Sequence, residues 1–242
     1  MLLHGFTGSS AAWPERLLDG VAAAGRPPVL VDLPGHGRHA RESRASRLSL
    51  AAALAVIGRA ADGPVELAGY SMGGRLALHF ALAFPGRVER LVLESASPGL
   101  ETDQERARRR ASDEELATRI EREGIEPFVD YWEAQPLFES QSRLDRRART
   151  RLRRVRLAND AASLAGALRA LGTGSLPSLW DRLGEVTTPT LLLAGALDPK
   201  FVGIAERMVS RMPRARLVVV PDAGHAVHLE RPDAWLAAVT EG

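Results

Sequence analysis

A serine flanked by glycines is the residue in this sequence best placed to do chemistry. The segment Gly69-Tyr70-Ser71-Met72-Gly73-Gly74 follows an apolar run of strand length and precedes a helical pattern. The pattern Gly-x-Ser-x-Gly is informative in this context, because a tight strand-to-helix turn exposes the serine hydroxyl. Free N–H groups at the start of the helix also favour negative charge there. We therefore predict that Ser71 is a catalytic residue.

A serine of this kind needs a base and an acid that orients the base, and both follow downstream. Asp198 closes the apolar run that begins at Thr190, and His225 lies in a short loop after Leu217–Val220. Both residues follow the C-terminal ends of predicted strands, where parallel sheets carry their sites. We predict a catalytic triad of Ser71, His225 and Asp198.

Other residues compete for two of these roles. Five further histidines could act as the base: His4, His36, His39, His79 and His228. The helical pattern around His79 favours packing, whereas His36 and His39 lie in a loop after another strand and stay open. Asp222 is a rival to Asp198, although a residue three positions before the histidine is poorly placed to face its ring.

Two backbone amides could stabilise a developing negative charge. The segment Leu2–Ser9 begins as a short strand and becomes a glycine-rich loop that contains Phe6. The N–H groups of Phe6 and Met72 are the expected oxyanion donors, because such sites combine the residue after the nucleophile with a loop from a neighbouring strand.

Short apolar runs alternate with amphipathic helical patterns along most of the chain. The predicted strands are Val29–Leu33, Val65–Ala68, Leu91–Leu93, Thr190–Ala194 and Leu217–Val220. The predicted helices are Ala11–Ala24, Leu48–Ala61, Gly73–Ala83, Val202–Arg211 and Asp233–Val239. Continuous apolar strands between helices favour an α/β fold, with a mostly parallel sheet covered on both faces.

One region interrupts this alternation. Residues 101–180 contain no convincing strand, and apolar residues at Leu144, Ala148, Leu152 and Val155 have helical spacing. Arginine and acidic residues make up nearly half of 101–156. We predict a core of residues 1–100 and 181–242, with 101–180 inserted between two strands as a helical lid.

Composition narrows the class of protein. The 242 residues carry a net charge of +2, which is too balanced to indicate a nucleic-acid partner. Cysteine is absent, so thiolate metal sites and cysteine nucleophiles are excluded. No apolar run has the length of a membrane span, and no secretory signal fits before His4. We expect a cytoplasmic protein without membrane insertion.

These motifs together resemble the α/β-hydrolase superfamily and, within it, the 2-succinyl-6-hydroxy-2,4-cyclohexadiene-1-carboxylate synthase family of menaquinone biosynthesis. The resemblance covers residues 2–232. It rests on Leu3-His4-Gly5-Phe6-Thr7-Gly8-Ser9, Gly69-Tyr70-Ser71-Met72-Gly73-Gly74-Arg75, Ser95-Ala96-Ser97-Pro98-Gly99-Leu100, Tyr131-Trp132, Pro136-Leu137-Phe138, Leu171-Gly172-Thr173-Gly174, Pro177-Ser178-Leu179-Trp180, Asp198-Pro199-Lys200-Phe201 and Gly224-His225-Ala226-Val227-His228-Leu229-Glu230.

The resemblance implies an elimination in which the serine acts as a base on a ring proton and pyruvate leaves. It also implies a small anionic dicarboxylate substrate, no cofactor and no metal, and we favour a monomer. Family positions that bind the substrate match Arg75, Arg109, Arg156, Tyr70 and Trp132. Arg108 and Arg110, which flank Arg109, are alternatives to it as the substrate-binding residue. Helical spacing places Arg156 at the edge of an apolar stripe, neither buried nor fully outward.

One departure from the family pattern and two alternative functions stay open. The family's N-terminal strands have no counterpart before His4, so we expect the strand near Val29 to lie at an exposed sheet edge. The same fold also supports serine esterases and carbon–carbon bond hydrolases. A non-catalytic small-molecule receptor that keeps the triad is a further alternative.

Overall fold

A single parallel sheet forms the centre of the computed structural model, which describes residues 1–41 and 47–241. Its strands are β1 (Leu2–Leu3), β2 (Leu30–Val31), β3 (Val65–Tyr70), β4 (Val88–Glu94), β5 (Thr190–Gly195) and β6 (Ala215–Val220). They lie in the order β2-β1-β3-β4-β5-β6, and every pairing is parallel. The predicted parallel sheet is confirmed, and β2, shorter than the predicted strand, lies at one edge.

Helices follow the strands and cover the sheet. Their bounds are α1 (Glu15–Ala23), α2 (Leu50–Arg59), α3 (Met72–Ala83), α4 (Asp103–Glu123), α5 (Ile125–Glu133), α6 (Arg146–Leu157), α7 (Ala161–Leu171), α8 (Pro199–Val209), α9 (Val227–Glu230) and α10 (Pro232–Thr240). Short 3-10 helices occupy Ser10–Ala12, Gly37–His39, Pro85–Arg87, Pro136–Arg143 and Trp180–Glu185. Across the described ranges, no helix is long and apolar enough to cross a membrane.

Alternating side chains of the strands pack into two separate hydrophobic clusters, one on each face of the sheet. Leu91 and Leu93 of β4 belong to the cluster that contains α2, α3 and α8, whereas Val92 between them belongs to the cluster of α1 and α10. This alternation follows from the two-residue period of a strand. Because both faces are covered, the central strands are largely apolar and hold the loops at their ends firmly in place.

Helices α4 to α7, which follow β4 and precede β5 in the chain, form a separate layer. Thr102 begins α4 with a capping box, since its side chain accepts from the Glu105 amide and Glu105 accepts from the Thr102 amide. Ile120, Phe128 and Leu164 are among the residues of a third apolar cluster that joins these helices. The segment is helical as expected from its composition, and its role as a lid over the site stays a prediction.

Candidate active site

Ser71 occupies a strained turn between β3 and α3. Its backbone φ is 51° and ψ is −109°, in the left-handed range of φ that residues other than glycine rarely adopt. Neighbouring glycines make this turn possible. A Cβ atom on Gly69 would overlap the Gly73 carbonyl oxygen, and a Cβ atom on Gly73 would overlap the Leu3 carbonyl oxygen. The turn is therefore tightly closed on itself, and its Gly73 side packs against β1.

His225 connects Ser71 to Asp198 through two hydrogen bonds. The Nε2 atom of His225 lies 3.1 Å from the Ser71 Oγ atom, and its Nδ1 atom lies 2.7 Å from Asp198 Oδ2. The imidazole is 2% exposed and Asp198 is 7% exposed, so water does not compete for the acid. With Nδ1–H donated to the carboxylate, Nε2 accepts the serine proton. This geometry allows Ser71 to act as a base or a nucleophile.

The Asp198 carboxylate also caps the start of helix α8. Asp198 is the N-cap of α8, and its Oδ1 atom accepts a hydrogen bond of 3.3 Å from the Phe201 amide. Asp222, the alternative acid, is exposed and pairs with Arg231 at 3.6 Å. The structure thus brings Asp198, and not Asp222, to the imidazole.

Two of the competing histidines hold the loop that contains Phe6. His4 accepts at Nε2 from the Leu33 amide at 3.0 Å and donates from Nδ1 to the Gly5 carbonyl at 2.8 Å. His36 accepts at Nε2 from the Thr7 amide at 3.3 Å. Burial lowers the pKa of His4 to about 4 and that of His36 to about 3. Both rings are therefore neutral near pH 7 and position the backbone.

The remaining histidines also lie away from the base position. His79 lies within α3, and burial lowers its pKa to about 4. His39 ends the 3-10 helix Gly37–His39. His228 borders the cavity, but its Nδ1 atom hydrogen-bonds to the buried Glu94 at 2.8 Å. His225 alone among the described histidines contacts both an acid and the Ser71 hydroxyl.

The proposed oxyanion donors border the same cavity as Ser71. Among the described residues, the amide N–H groups of Phe6 and Met72 donate to no protein acceptor. The Met72 amide is free because it opens α3, where the first N–H groups have no partner within the helix. The Phe6 loop is also tied to the helical layer, because Asn159 Nδ2 donates to the Thr7 carbonyl at 2.9 Å. The role of the Phe6 and Met72 amides as an oxyanion hole stays a prediction.

A cavity of about 420 Å³ extends from the triad, and all three of the predicted arginines border it. Arg75, one helical turn after Ser71, donates from Nη2 to the Leu171 carbonyl at 3.2 Å, and its buried Nε atom has no partner. Burial lowers the pKa of Arg75 to about 10, with the neighbouring charge of Arg109 adding to the shift. Arg75 therefore stays charged near pH 7 although no described carboxylate pairs with it.

Arg109 is the member of its arginine run that borders the cavity. Its Nε atom lies 2.7 Å from Asp113 Oδ1, and the other oxygen of this buried carboxylate has no partner. Burial raises the pKa of Asp113 even though Arg109 opposes the shift. Arg108 is exposed, and Arg110 donates to the Gly174 carbonyl at 3.0 Å.

The expectation for Arg156 was wrong in one respect: it is buried, with 6% exposure, rather than at the edge of its stripe. Its guanidinium donates to Glu133 Oε1 at 2.9 Å and to Gln141 Oε1 at 3.0 Å. Helical spacing could not reveal this, because both partners belong to other elements of the helical layer. Arg156 nevertheless borders the cavity, as does Gln141.

Tyr70 and Trp132, the two predicted aromatic residues, lie at the wall of this cavity, and their contact with substrate stays a prediction. The Tyr70 ring lies 5.4 Å from the His225 ring and 4.7 Å from the His228 ring, between centroids. Trp132 packs against Phe6 at 5.5 Å, and its buried Nε1 atom has no hydrogen-bond partner. Both side chains border the cavity.

Sequence reasoning missed the residues that orient the predicted ones. They are Glu133 and Gln141 on Arg156, Asn159 on the Phe6 loop, and Glu94, which holds both His228 and the Trp235 indole. Only Asn159 carried a signal, as a polar residue at the end of an amphipathic helix. Within the described ranges, no group of three His, Asp or Glu side chains could hold a metal ion.

Comparisons with known proteins identify the family of this chain. Residues 1–232 match the model of the alpha/beta hydrolase fold family. A Bacillus subtilis (strain 168) protein is 43% identical over 99% of this chain and 88% of its own, and is provisionally named 2-succinyl-6-hydroxy-2,4-cyclohexadiene-1-carboxylate synthase. An Enterobacter sp. (strain 638) protein with the same name, without qualification, is 32% identical over 100% of this chain and 90% of its own. The chain belongs to this synthase family.

A solved structure agrees with the assignment. MenH from S. aureus superposes on this chain with a TM-score of 0.88 and is 34% identical to it in sequence. The superposition covers 98% of this chain and 90% of the S. aureus chain. The chain is therefore an enzyme of the synthase family with the α/β-hydrolase fold, as the sequence predicted.

Proposed function

We propose that this enzyme eliminates pyruvate from 2-succinyl-5-enolpyruvyl-6-hydroxy-3-cyclohexene-1-carboxylate and forms 2-succinyl-6-hydroxy-2,4-cyclohexadiene-1-carboxylate. The proposal carries to this chain the activity in the names of its relatives. The observation that supports it most directly is Arg75, a half-buried cation one helical turn from Ser71, which has an unpartnered Nε atom and forms no ion pair with a described carboxylate.

The triad supplies the base for this reaction. His225 takes the Ser71 proton at Nε2 while Ser71 Oγ removes a ring proton, and Asp198 stabilises the imidazolium that forms. The electron pair of the broken C–H bond moves into the ring system, and the C–O bond to the enolpyruvyl group breaks. The leaving enolate takes a proton from His225 and becomes pyruvate, so the triad is restored and no water is consumed.

The free amides of Phe6 and Met72 are the groups suited to the substrate's carbonyl oxygen. This oxygen gains negative charge as the ring proton leaves, and fixed N–H donors stabilise such charge without reorganising. The unusual backbone of Ser71 and the hydrogen bonds of His4 and His36 hold both donors in place.

Arginines at three points of the cavity suit a substrate with several carboxylates. Arg75, Arg109 and Arg156 all border the space beside Ser71. Guanidinium groups bind carboxylates through two parallel hydrogen bonds and keep their charge when buried. An esterase for neutral substrates would gain nothing from a half-buried cation that forms no ion pair, because partial removal of a charge from water is costly. This contrast favours the synthase over the esterase alternative.

Pyruvate release tests the proposal. The purified enzyme should release pyruvate from the enolpyruvyl precursor, detected with lactate dehydrogenase, and should hydrolyse nitrophenyl esters far more slowly. Ser71→Ala serves as the inactive control. Ester hydrolysis with an equal or higher kcat/KM, or no pyruvate from the precursor, would return the enzyme to the esterase or hydrolase class.

A further inference from the structure

A second cleft of about 660 Å³ lies in the helical layer beside the cavity that contains Ser71. It is bordered by the end of α5, the 3-10 helix Pro136–Arg143 and one face of α6. Four residues border both spaces: Phe138, Gln141, Leu152 and Arg156. The two spaces are thus neighbours, and these four shared residues form the dividing wall.

Four arginines of α6 line this cleft, which we call the arginine cleft. They are Arg146, Arg149, Arg153 and Arg156. Their spacings of three, four and three residues place them on one face of the helix. A helix that presents four cations on one face is unusual, because like charges one turn apart repel one another.

Only the inner half of this arginine row is neutralised. Arg153 pairs with Asp130 at 2.7 Å and with Glu133 at 3.0 Å, and Arg156 shares the same Glu133. In the part of the chain that the structure describes, Arg146 and Arg149 form no ion pair and are exposed. Glu139 is the other carboxylate that borders the cleft, so the arginines there outnumber the acids.

The dividing wall lies one aromatic ring away from the catalytic histidine. The centroid of the Phe138 ring is 6.2 Å from that of His225, and the Arg156 guanidinium lies 5.3 Å from the Phe138 centroid. Arg156 is held there by side chains alone, from Glu133 and Gln141. Glu133 and Gln141 therefore determine where the Arg156 guanidinium lies between the two spaces.

We propose that the arginine cleft is a second carboxylate-binding site, which receives the small carboxylate anion released beside Ser71 before it reaches solvent. The identity of that anion as pyruvate rests on the proposed function. Paired donors of Arg146 and Arg149 suit a carboxylate, because a guanidinium matches its two oxygens. The row of charges from Arg156 to Arg146 gives the anion successive partners from the dividing wall outward.

Pyruvate binding, measured without turnover, tests the site. Titration calorimetry with sodium pyruvate would compare the unmodified enzyme with Arg146→Gln/Arg149→Gln. The matched control is Arg147→Gln/Arg154→Gln, which removes the same charge from the same helix at two exposed positions outside the cleft. Arg75→Ala marks any pyruvate bound in the cavity beside Ser71. All four proteins should keep similar melting temperatures, and the single variants Arg146→Gln and Arg149→Gln repeat the test with a smaller change.

We expect Arg146→Gln/Arg149→Gln to weaken pyruvate binding about tenfold or more, which corresponds to about 1.4 kcal/mol. The control variant and Arg75→Ala should retain this binding. Unchanged affinity in the cleft variant, loss only in Arg75→Ala, or no binding to the unmodified enzyme would each overturn the proposal. If the precursor yields no pyruvate while the cleft variant still loses pyruvate affinity, the proposed function fails and the carboxylate site stands.

Discussion

Arg75 is the side chain that we expect to distinguish a synthase, which binds an anionic substrate, from an esterase for neutral substrates. It is charged and half-buried, its Nη2 atom donates to the Leu171 carbonyl, and its Nε atom has no partner. Partial removal of this charge from water carries a free-energy cost, and a substrate carboxylate would offset that cost. The side chain is therefore suited to bind an anion during the reaction rather than to stabilise the fold.

Arg75→Ala should lower kcat/KM for the anionic precursor by about 10- to 200-fold, because a charge-assisted contact contributes about 1.5–3 kcal/mol. Arg75→Lys should recover only part of the loss, since an ammonium group cannot make the paired contact. Steady-state kinetics on the precursor and on a neutral nitrophenyl ester measure the effect. Equal losses on both substrates, together with a large fall in melting temperature, would make Arg75 a structural residue.

Ser71 and His225 should behave as one unit in mutant kinetics. Each of Ser71→Ala and His225→Ala should lower kcat by about 10³-fold or more, because proton transfer needs both groups. The double variant should lose little beyond either single variant. Rates of pyruvate release from the three proteins measure this, and a double variant that loses the product of both single effects would disprove the triad.

At the scale of elements, the tight contact between the start of α3 and β1 determines where Ser71 stands. Gly73 lies against the carbonyl oxygens of Leu3 and His4, and backbone atoms cannot move aside as a flexible side chain could. By contrast, Gly203 lies within α8 with no atom within 4 Å of an added Cβ. These two helical glycines form a natural comparison.

Gly73→Ala should lower the free energy of unfolding by about 1–3 kcal/mol and reduce activity, because the added methyl group forces the helix away from β1. Gly203→Ala should raise the free energy of unfolding by about 0.4–1 kcal/mol, since alanine is the better helix former and the space is open. Urea denaturation measures both values. A neutral effect of Gly73→Ala would mean that the turn around Ser71 is loosely packed.

At the scale of the whole molecule, three buried neutral histidines make stability depend on pH. Burial lowers the pKa of His4 and His79 to about 4 and that of His36 to about 3, from the usual histidine value of 6.5. Between these values and pH 6.5, the unfolded chain binds protons at these positions and the folded chain does not. Stability therefore rises with pH across this window and is lost as the pH falls.

The melting temperature should thus fall steadily as the pH decreases from about 6.5 to about 4. His79→Gln should reduce this slope, because one of the three protons taken up on unfolding is removed. Its position within α3, away from the Phe6 loop, leaves the other two histidines in place. Calorimetry in buffers of equal ionic strength measures the slope. An unchanged slope in His79→Gln would show that this ring is not buried as a neutral base.

The sequence by itself determined the parallel sheet, the helical layer of residues 101–180 and the position of Ser71. These depend on local patterns: apolar runs of strand length, helical periodicity, and glycines around a serine at the junction of a strand and a helix. Such patterns act over a few residues and leave their mark on consecutive positions. For the same reason, a spacing of four residues is enough to place Arg75 one helical turn after Ser71.

Only the tertiary structure decided which distant side chains meet. The sequence favoured His225, Asp198 and Arg109 but left rivals open, and the contacts in the structure decided among them. The tertiary structure also buried Arg156 against partners from other elements, which helical spacing had left at the edge. The physical reason is that hydrogen bonds and burial depend on distances in space, whereas residues far apart in the chain come close only when helices and strands pack.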